Sequence, residues 1–252
     1  GTMLSVVGLV NAGPAAAATN NTCHYGTGGT DASALCWLDF TGYSDSTALG
    51  AGQQFTQAIP GGYTMSFTVK RTATTGTPPV AAHITPTWSG TPFGGNGGQY
   101  TGIAGNPALY AEGTFSTTQH NGSWTVTLSN IQITDSAGQV MTGWTLNAAD
   151  AESTNLHERL TFGTNGGGWQ IVNRIPPISP GAQACNNGLT GTGTASLVCT
   201  GSGSGTNVGD VVASTSGAPS TITAKAEQNF DLATGAGGQS GVAFAVVTAN
   251  IT

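Results

Sequence analysis

The sequence has very few charged residues: five are Lys or Arg and 11 are Asp or Glu, out of 252. An average soluble domain has about 25% charged residues. Surface helices are usually rich in Glu, Lys, Arg and Gln, so this shortage argues against a helical protein. The net charge of -6 leaves no basic stripe that could neutralise phosphates. Nucleic acid and an anionic membrane surface are therefore excluded as expected partners.

The body of the chain also lacks long apolar runs and enzyme signatures. No stretch of about 18 apolar residues is present, so no membrane span is expected. G-x-S-x-G, H-E-x-x-H and phosphate-loop motifs are absent, and the four histidines are scattered along the chain. We predict a protein that is not an enzyme and has no cofactor. A carboxylate-dependent glycosidase stays open as an alternative, because that chemistry needs only two suitably placed acids.

What the chain does contain is Gly, Thr and a period-two pattern. Tyr63–Val69 alternates apolar and hydroxyl residues, as do Trp124–Leu128 and Ile131–Thr134. Ser129-Asn130 between the last two is predicted to be a tight connection or a bulge, and 135–138 a turn. Many short strands joined by Gly, Pro and Asn favour an all-β fold, an antiparallel two-sheet β-sandwich of jelly-roll or lectin-like type. We assign residues 19–252 to a single such domain.

Further strands are predicted at places with similar composition. They are Ala34–Phe40, Gln54–Ile59, Val80–Pro86, Gly113–Thr118, Trp144–Ala149, Arg159–Phe162, Trp169–Asn173, Ala195–Thr200, Val208–Ala213, Thr221–Ala226 and Gly241–Ala249.

The four cysteines form two local pairs in the sequence. Three pairings are possible, and we predict Cys23–Cys36 and Cys185–Cys199 because each closes a short loop. In the chain-entropy model, a disulfide that closes such a loop stabilises the folded state by roughly 3 kcal/mol. A zinc site is the alternative, but neither pair has C-x-x-C spacing. Disulfides indicate an extracellular protein, either secreted or at the cell surface.

The first 18 residues differ from the rest. Met3–Ala18 is apolar and then rich in small residues, which is typical of a secretory signal peptide, although a basic n-region is missing. The alternative is an N-terminal donor strand that completes a neighbouring subunit's sheet in a filament. The residues that such a strand would bury are Leu4, Val6, Val7, Leu9 and Val10.

Several segments resemble one family. Ala34–Tyr43 and Pro60–Val69 resemble the non-repetitive, lectin-like domain of CshA-type bacterial surface adhesins. Further similar pieces are Pro86–Gly90, Thr142–Ala149, Asp150–Thr154, Gly188–Gly191 and Gly241–Ala245. The resemblance covers roughly 23–247. It implies a β-sandwich outside the cell that adheres to host glycoproteins or other surfaces, and it supplies no catalytic residues.

A long Gly-rich loop is the predicted binding site. Residues 90–107 carry Phe93 and Tyr100, and Trp88 lies beside them; we expect these three rings to stack on a host or environmental glycan or glycoprotein. For Trp88, packing in the core is an equal alternative. Tryptophans in alternating strands are expected in the core, namely Trp37, Trp124 and Trp144, and Trp169 is undecided.

Three acidic residues have positions that indicate a role. Asp150 and Glu152 are two apart, so on a strand they face one side and are weak candidates for Ca²⁺ ligands. The alternative is a structural role, in which they bind backbone amides or Arg159 at a strand end. Asp39 lies between two apolar residues and is predicted to be a buried hydrogen-bond acceptor.

Overall fold

The computed structural model describes residues 17–75, 80–82, 100–111, 122–151, 154, 157–174, 184–201, 210–228 and 240–252. Sixteen strands lie within these residues, with one α-helix, α1 (Asp45–Leu49), and a 3-10 turn at Thr248–Asn250. Two mostly antiparallel sheets contain the strands. The predicted two-sheet β-sandwich is therefore confirmed.

The strands in chain order are β1 (Thr19–Thr22), β2 (His24–Tyr25), β3 (Leu35–Trp37), β4 (Gln53–Ile59), β5 (Tyr63–Thr75), β6 (Val80–Ala82), β7 (Ala108–Ala111), β8 (Ser123–Thr134), β9 (Thr145–Asp150), β10 (Arg159–Thr164), β11 (Gln170–Arg174), β12 (Leu189–Thr190), β13 (Ser196–Thr200), β14 (Val211–Thr215), β15 (Thr221–Glu227) and β16 (Ser240–Val247).

The first sheet has the order β1-β4-β5-β8-β15-β10-β13-β12, and only the β1–β4 pair is parallel. The second sheet has the order β11-β14-β9-β16-β3-β2. One side of β16 pairs with β7 along its first half and with β3 along its second half, and β6 pairs with β7. The predicted strand at 113–118 lies outside the described residues.

A bulge keeps the long strand β8 amphipathic. β8 buries even-numbered residues as far as Leu128 and odd-numbered ones from Ile131 onward. The change occurs at Asn130, which has φ of 53° and lies where the register with β5 shifts. One extra residue exchanges the two faces of a strand, so without it Ile131 and Ile133 would face solvent. Of the two alternatives for Ser129-Asn130, the bulge is correct, and residues 135–138 form the predicted turn.

The first sheet has one buried face, whereas the central strands of the second have two. Every described residue of β9 is buried, and β16 is buried as far as Val246. One face of these strands contributes to the core between the sheets, with side chains such as Leu146 and Phe244. The other face forms a second apolar cluster with Trp37 and Ile103. The second sheet therefore needs a covering layer on its outer side.

Tyr100 belongs to that covering layer. Its ring is fully buried and packs edge-on against Trp37, with ring centroids 5.3 Å apart. Its hydroxyl donates to the Thr30 carbonyl oxygen at 2.8 Å, and burial raises the pKa of this hydroxyl. The prediction that this ring stacks on a ligand is corrected, because a ring enclosed in an apolar cluster presents no face to solvent.

Asp39 holds the segment after Tyr100 in place, through a hydrogen bond at Asn106. Its Oδ1 accepts hydrogen bonds from the Thr41 amide at 2.8 Å, the Thr41 hydroxyl at 2.7 Å and the Asn106 amide at 2.8 Å. Gly105 has φ of 73°, and a Cβ there would lie 2.5 Å from the carboxyl group. The predicted buried acceptor is confirmed, and its close approach requires glycine at residue 105.

Both predicted disulfides are present: Cys23–Cys36 and Cys185–Cys199. The first lies beside β3 and the second joins the start of the β12 region to β13. Trp37, Trp124 and Trp144 are buried as predicted, and Trp169 is buried as well.

Replacement of Tyr100 should destabilise the fold. Tyr100→Ala is expected to lower the free energy of unfolding by about 3–4 kcal/mol, because it empties a closed apolar site. Tyr100→Phe removes the hydroxyl that bonds to the Thr30 carbonyl oxygen and should cost about 1 kcal/mol. Tyr25 is the matched control, since its ring is 36% exposed and its hydroxyl also makes a hydrogen bond, to Thr248 Oγ1 at 2.9 Å. Urea denaturation measures all three variants, and an equal cost for Tyr100→Ala and Tyr25→Ala would contradict the covering role.

Candidate functional site

One end of the sandwich collects most of the longer connections. Strands β5, β7, β9, β11, β13 and β15 end there, and β8, β10, β14 and β16 begin there. We call this the cleft end, because a cleft lies between the two sheets at this point. The opposite end, the turn end, has the connections 60–62, 135–144, 165–169, 191–195 and 216–220. Loops at one end of a rigid scaffold are a common location for binding residues.

The cleft is small, with a volume of about 10 Å³ or room for about one water molecule, and it draws on both sheets. Its lining residues are polar or charged with two exceptions, and they are Asp150, Thr154, Glu158, Arg159, Leu160, Glu227, Ser240 and Gly241. Asp150 ends β9 and Ser240 begins β16 in the second sheet, whereas Arg159 begins β10 and Glu227 ends β15 in the first. The cleft is therefore formed by four strand ends that are distant in sequence.

Glu227 is held by two cations. Arg159 donates from Nε to Oε2 at 2.8 Å and from Nη2 to Oε1 at 3.0 Å, a two-bonded arrangement. Lys225 Nζ donates to Oε1 at 2.8 Å. The carboxylate side chain is only 14% exposed, whereas Arg159 is 34% and Lys225 44% exposed. The two cations therefore reach solvent while their shared anion stays largely covered.

The pKa of Glu227 reflects two opposing causes. Burial raises this pKa, because it penalises the charged form. Hydrogen bonds from Arg159 and Lys225, with the charges of both, act in the other direction and outweigh burial. The net result is a pKa below its ordinary value of 4.5. Glu227 is therefore ionised at neutral pH.

Two other acidic residues of the cleft, Asp150 and Glu158, are more deeply buried than Glu227. Asp150 is 2% exposed and Glu158 5% exposed. The Thr154 hydroxyl donates to Asp150 Oδ2. Ser240 Oγ accepts a hydrogen bond from Trp124 Nε1 at 2.9 Å, which ties the cleft floor to the core. These groups offer fixed hydrogen-bond acceptors to a ligand that carries hydroxyl, amide or ammonium donors.

The structure describes only one of the two residues predicted as weak candidates for Ca²⁺ ligands. Asp150 lines the cleft, whereas Glu152 lies outside the described residues. Among the residues that the structure describes, no three His, Cys, Asp or Glu side chains are grouped in a way that could hold a metal ion. A Ca²⁺ role for Asp150 and Glu152 stays a prediction.

Charge is concentrated at the cleft end. Of the 13 charged residues that the structure describes, seven lie within three residues of the strand ends there. They are Asp150, Glu158, Arg159, Arg174, Asp210, Lys225 and Glu227. In a chain of such low charge, this is the region where charge can orient a partner.

The remaining predicted site residues are not brought into the cleft. Trp88 and Phe93 lie outside the described residues, as do Leu4, Val6, Val7, Leu9 and Val10 of the proposed donor segment. Tyr100 is buried under the outer face of the second sheet. The Arg159–Glu227–Lys225 cluster was not predicted. The alternation of Lys225 and Glu227 along β15 places both on one face, but their contact with Arg159 depends on pairing between strands far apart in sequence.

Fold and composition together define a disulfide-bonded β-sandwich with little surface charge. Residues 33–247 match the family described as surface adhesin CshA non-repetitive domain 2, so the chain belongs to that family. Searches of curated proteins and of solved structures each found no match. Membership of this surface-adhesin family indicates an adhesive, non-enzymatic role at the cell surface or outside the cell. No helix in the described part of the chain is long and apolar enough to cross a membrane.

The lowered pKa of Glu227 predicts a pH dependence of stability. Between the folded and the unfolded pKa the unfolded state binds more protons, so stability rises with pH there. The contribution of Glu227 is fully present above about 4.5 and is lost as the pH falls through the lower folded value. The difference in unfolding free energy between wild type and Glu227→Gln should therefore shrink from pH 7 to pH 3.

Arg159→Gln supplies the control for this measurement. In that background most of the cause of the lowered pKa is removed, so Glu227→Gln should change the pH dependence less. An equal effect of Glu227→Gln in both backgrounds would show that the Arg159 contact does not set this pKa.

Proposed function

We propose that the chain is an extracellular, non-enzymatic adhesin module that binds a glycan or glycoprotein at the cleft end. The observation that carries this proposal is the concentration of charged and buried hydrogen-bonding groups at one end of an otherwise weakly charged sandwich. The adhesin family of the chain supports it.

The cleft supports binding through preorganised groups. The Arg159–Glu227 pair fixes the guanidinium plane, and the Lys225 ammonium lies on the same carboxylate. Both cations keep exposed donor surface, so they can contact a ligand carboxylate, hydroxyl or carbonyl oxygen without first being ordered. Such contacts lose little conformational entropy on binding.

Connections around the cleft supply the rest of the proposed contact surface. The segments 112–122, 151–158, 201–210 and 228–239 all join strands that end or begin at this end. Recognition through loops at one end of the sandwich is common among β-sandwich domains. The predicted aromatic contacts of Trp88 and Phe93 stay part of this proposal, while Tyr100 acts by holding the fold.

The test compares adhesion of wild type with that of Arg159→Gln/Lys225→Gln. Immobilised mammalian serum glycoproteins, with and without enzymatic deglycosylation, serve as the probe surface, and Kd is measured by biolayer interferometry. Loss of two exposed donors should raise Kd by about tenfold or more. The bound material should be recovered with unchanged mass, because binding without turnover is proposed.

Lys70→Gln is the matched control. Lys70 is exposed on β5 of the same sheet and lies outside the cleft. It should leave Kd unchanged, and urea denaturation should show that all variants stay folded. An equal loss in Lys70→Gln would point to nonspecific charge attraction, and shortened glycans on the recovered glycoprotein would favour the glycosidase alternative.

A second candidate function is assembly into a filament through the first 18 residues. The observation that favours it is that Thr19, immediately after this segment, begins β1, the outermost strand of the first sheet among the residues that the structure describes. The segment therefore starts where the chain can reach a neighbouring subunit. Possible acceptor edges are β2, β11 and β12, of which β11 is the longest with five residues. Strand addition satisfies the unpaired backbone groups of such an edge.

Deletion of residues 1–18 tests this assembly. The truncated chain should remain a folded monomer and lose the ability to polymerise, because the donor strand is gone. Negative-stain electron microscopy and light scattering report the outcome. Fibres formed by the truncated chain, or a full-length chain that stays monomeric at every concentration, would show that the segment is not a donor strand.

A further inference from the structure

A second depression lies at the turn end, on the outer face of the first sheet. It has a volume of about 290 Å³, at the lower end of the range of about 300–1,000 Å³ typical of small-molecule sites. It is lined by Gly163, Thr164, Asn165, Ala195, Thr221 and Thr223. We call it the threonine groove. It shares no lining residue with the cleft.

Gly163 creates the floor of the groove. It is paired with Thr223 on the neighbouring strand, and a Cβ at Gly163 would overlap the Thr223 hydroxyl. Any other residue at 163 would push the Thr223 side chain aside. The missing side chain at 163 leaves room for the Thr223 side chain, which lies over the Gly163 backbone.

The walls are held by hydrogen bonds. The Thr164 amide donates to the Ala195 carbonyl oxygen at 3.0 Å, which joins β10 to the 191–195 turn. Asn165 Oδ1 accepts from the Thr221 amide at 2.9 Å, and its Nδ2 donates to Ser220 Oγ at 2.8 Å. The groove therefore needs no ordering when a ligand binds.

The lining groups define the ligand chemistry. No lining residue is ionisable. The hydroxyls of Thr221 and Thr223 make no hydrogen bond with the part of the chain that the structure describes, so both can donate and accept. Threonine methyl groups and Ala195 supply small apolar surfaces beside them. A neutral sugar ring has the matching pattern, because its hydroxyl groups alternate with apolar C–H faces.

We propose that the threonine groove binds a neutral saccharide unit. A carboxylated or phosphorylated ligand would find no cation among the lining residues. A peptide partner would expose backbone groups that the closed β10–β15 pairing does not complement. The proposal does not rest on binding at the cleft, because the two sites share no lining residue.

The test is an NMR titration of the ¹⁵N-labelled full chain with lactose, maltose and 3′-sialyllactose. At least one neutral sugar should shift the amides of Gly163, Asn165, Thr221 and Thr223 in a saturable way, while the cleft amides of Glu227 and Gly241 stay unchanged. Thr223→Val keeps the side-chain shape and removes one hydroxyl, so it should raise Kd about fivefold, or ~1 kcal/mol. Ala195→Gln fills the groove without adding charge and should abolish the shifts.

Thr56→Val is the matched control, because Thr56 is a partly exposed threonine on β4 of the same sheet. It should leave Kd unchanged. The proposal is overturned if no neutral sugar shifts the groove amides, if Ala195→Gln binds like wild type, or if sialyllactose binds while lactose and maltose do not. Failure here leaves the Arg159/Lys225 adhesion test unaffected, so the two proposals are judged separately.

Discussion

The outer face of the second sheet must be covered, and much of the molecule follows from this constraint. β9 and β16 are buried on both faces, so one face packs in the sandwich core and the other needs a separate layer. Tyr100 and Ile103 provide part of that layer, and the hydrogen bond from the Asn106 amide to Asp39 Oδ1 fixes the chain beyond them. A segment that looks like a free loop in the sequence is thereby part of the core.

This arrangement separates structural from adhesive surface. Covering the second sheet uses up the outer face where a lectin-like domain could otherwise present aromatic rings. What stays available is the cleft end, where charge is concentrated, and the outer face of the first sheet, whose exposed positions are mainly Thr and Ser. Because the rest of the surface has few charged residues, it attracts charged partners only weakly. Adhesion by such a molecule depends on a few fixed groups at strand ends.

Sequence reasoning worked where a local pattern determines the structure. Alternation in β5 and β8 predicted half-buried strands, and the short spacing of the cysteines predicted both disulfides. It failed where burial depends on distant neighbours. The ring of Tyr100 follows a Gly-rich stretch, and only the contact with Trp37, 63 positions earlier, places it inside. The Arg159–Glu227 pair likewise spans 68 positions and depends on strand order, which composition does not reveal.

The most direct test of the account is a hydrogen-exchange footprint of the full chain bound to a glycoprotein that it retains. The account predicts slowed amide exchange at the cleft end, around Asp150, Arg159, Glu227 and Gly241, with unchanged exchange in the covering layer around Tyr100, because that layer is already closed in the free protein. Protection confined to the turn end, or around Tyr100 with the cleft end unchanged, would contradict it.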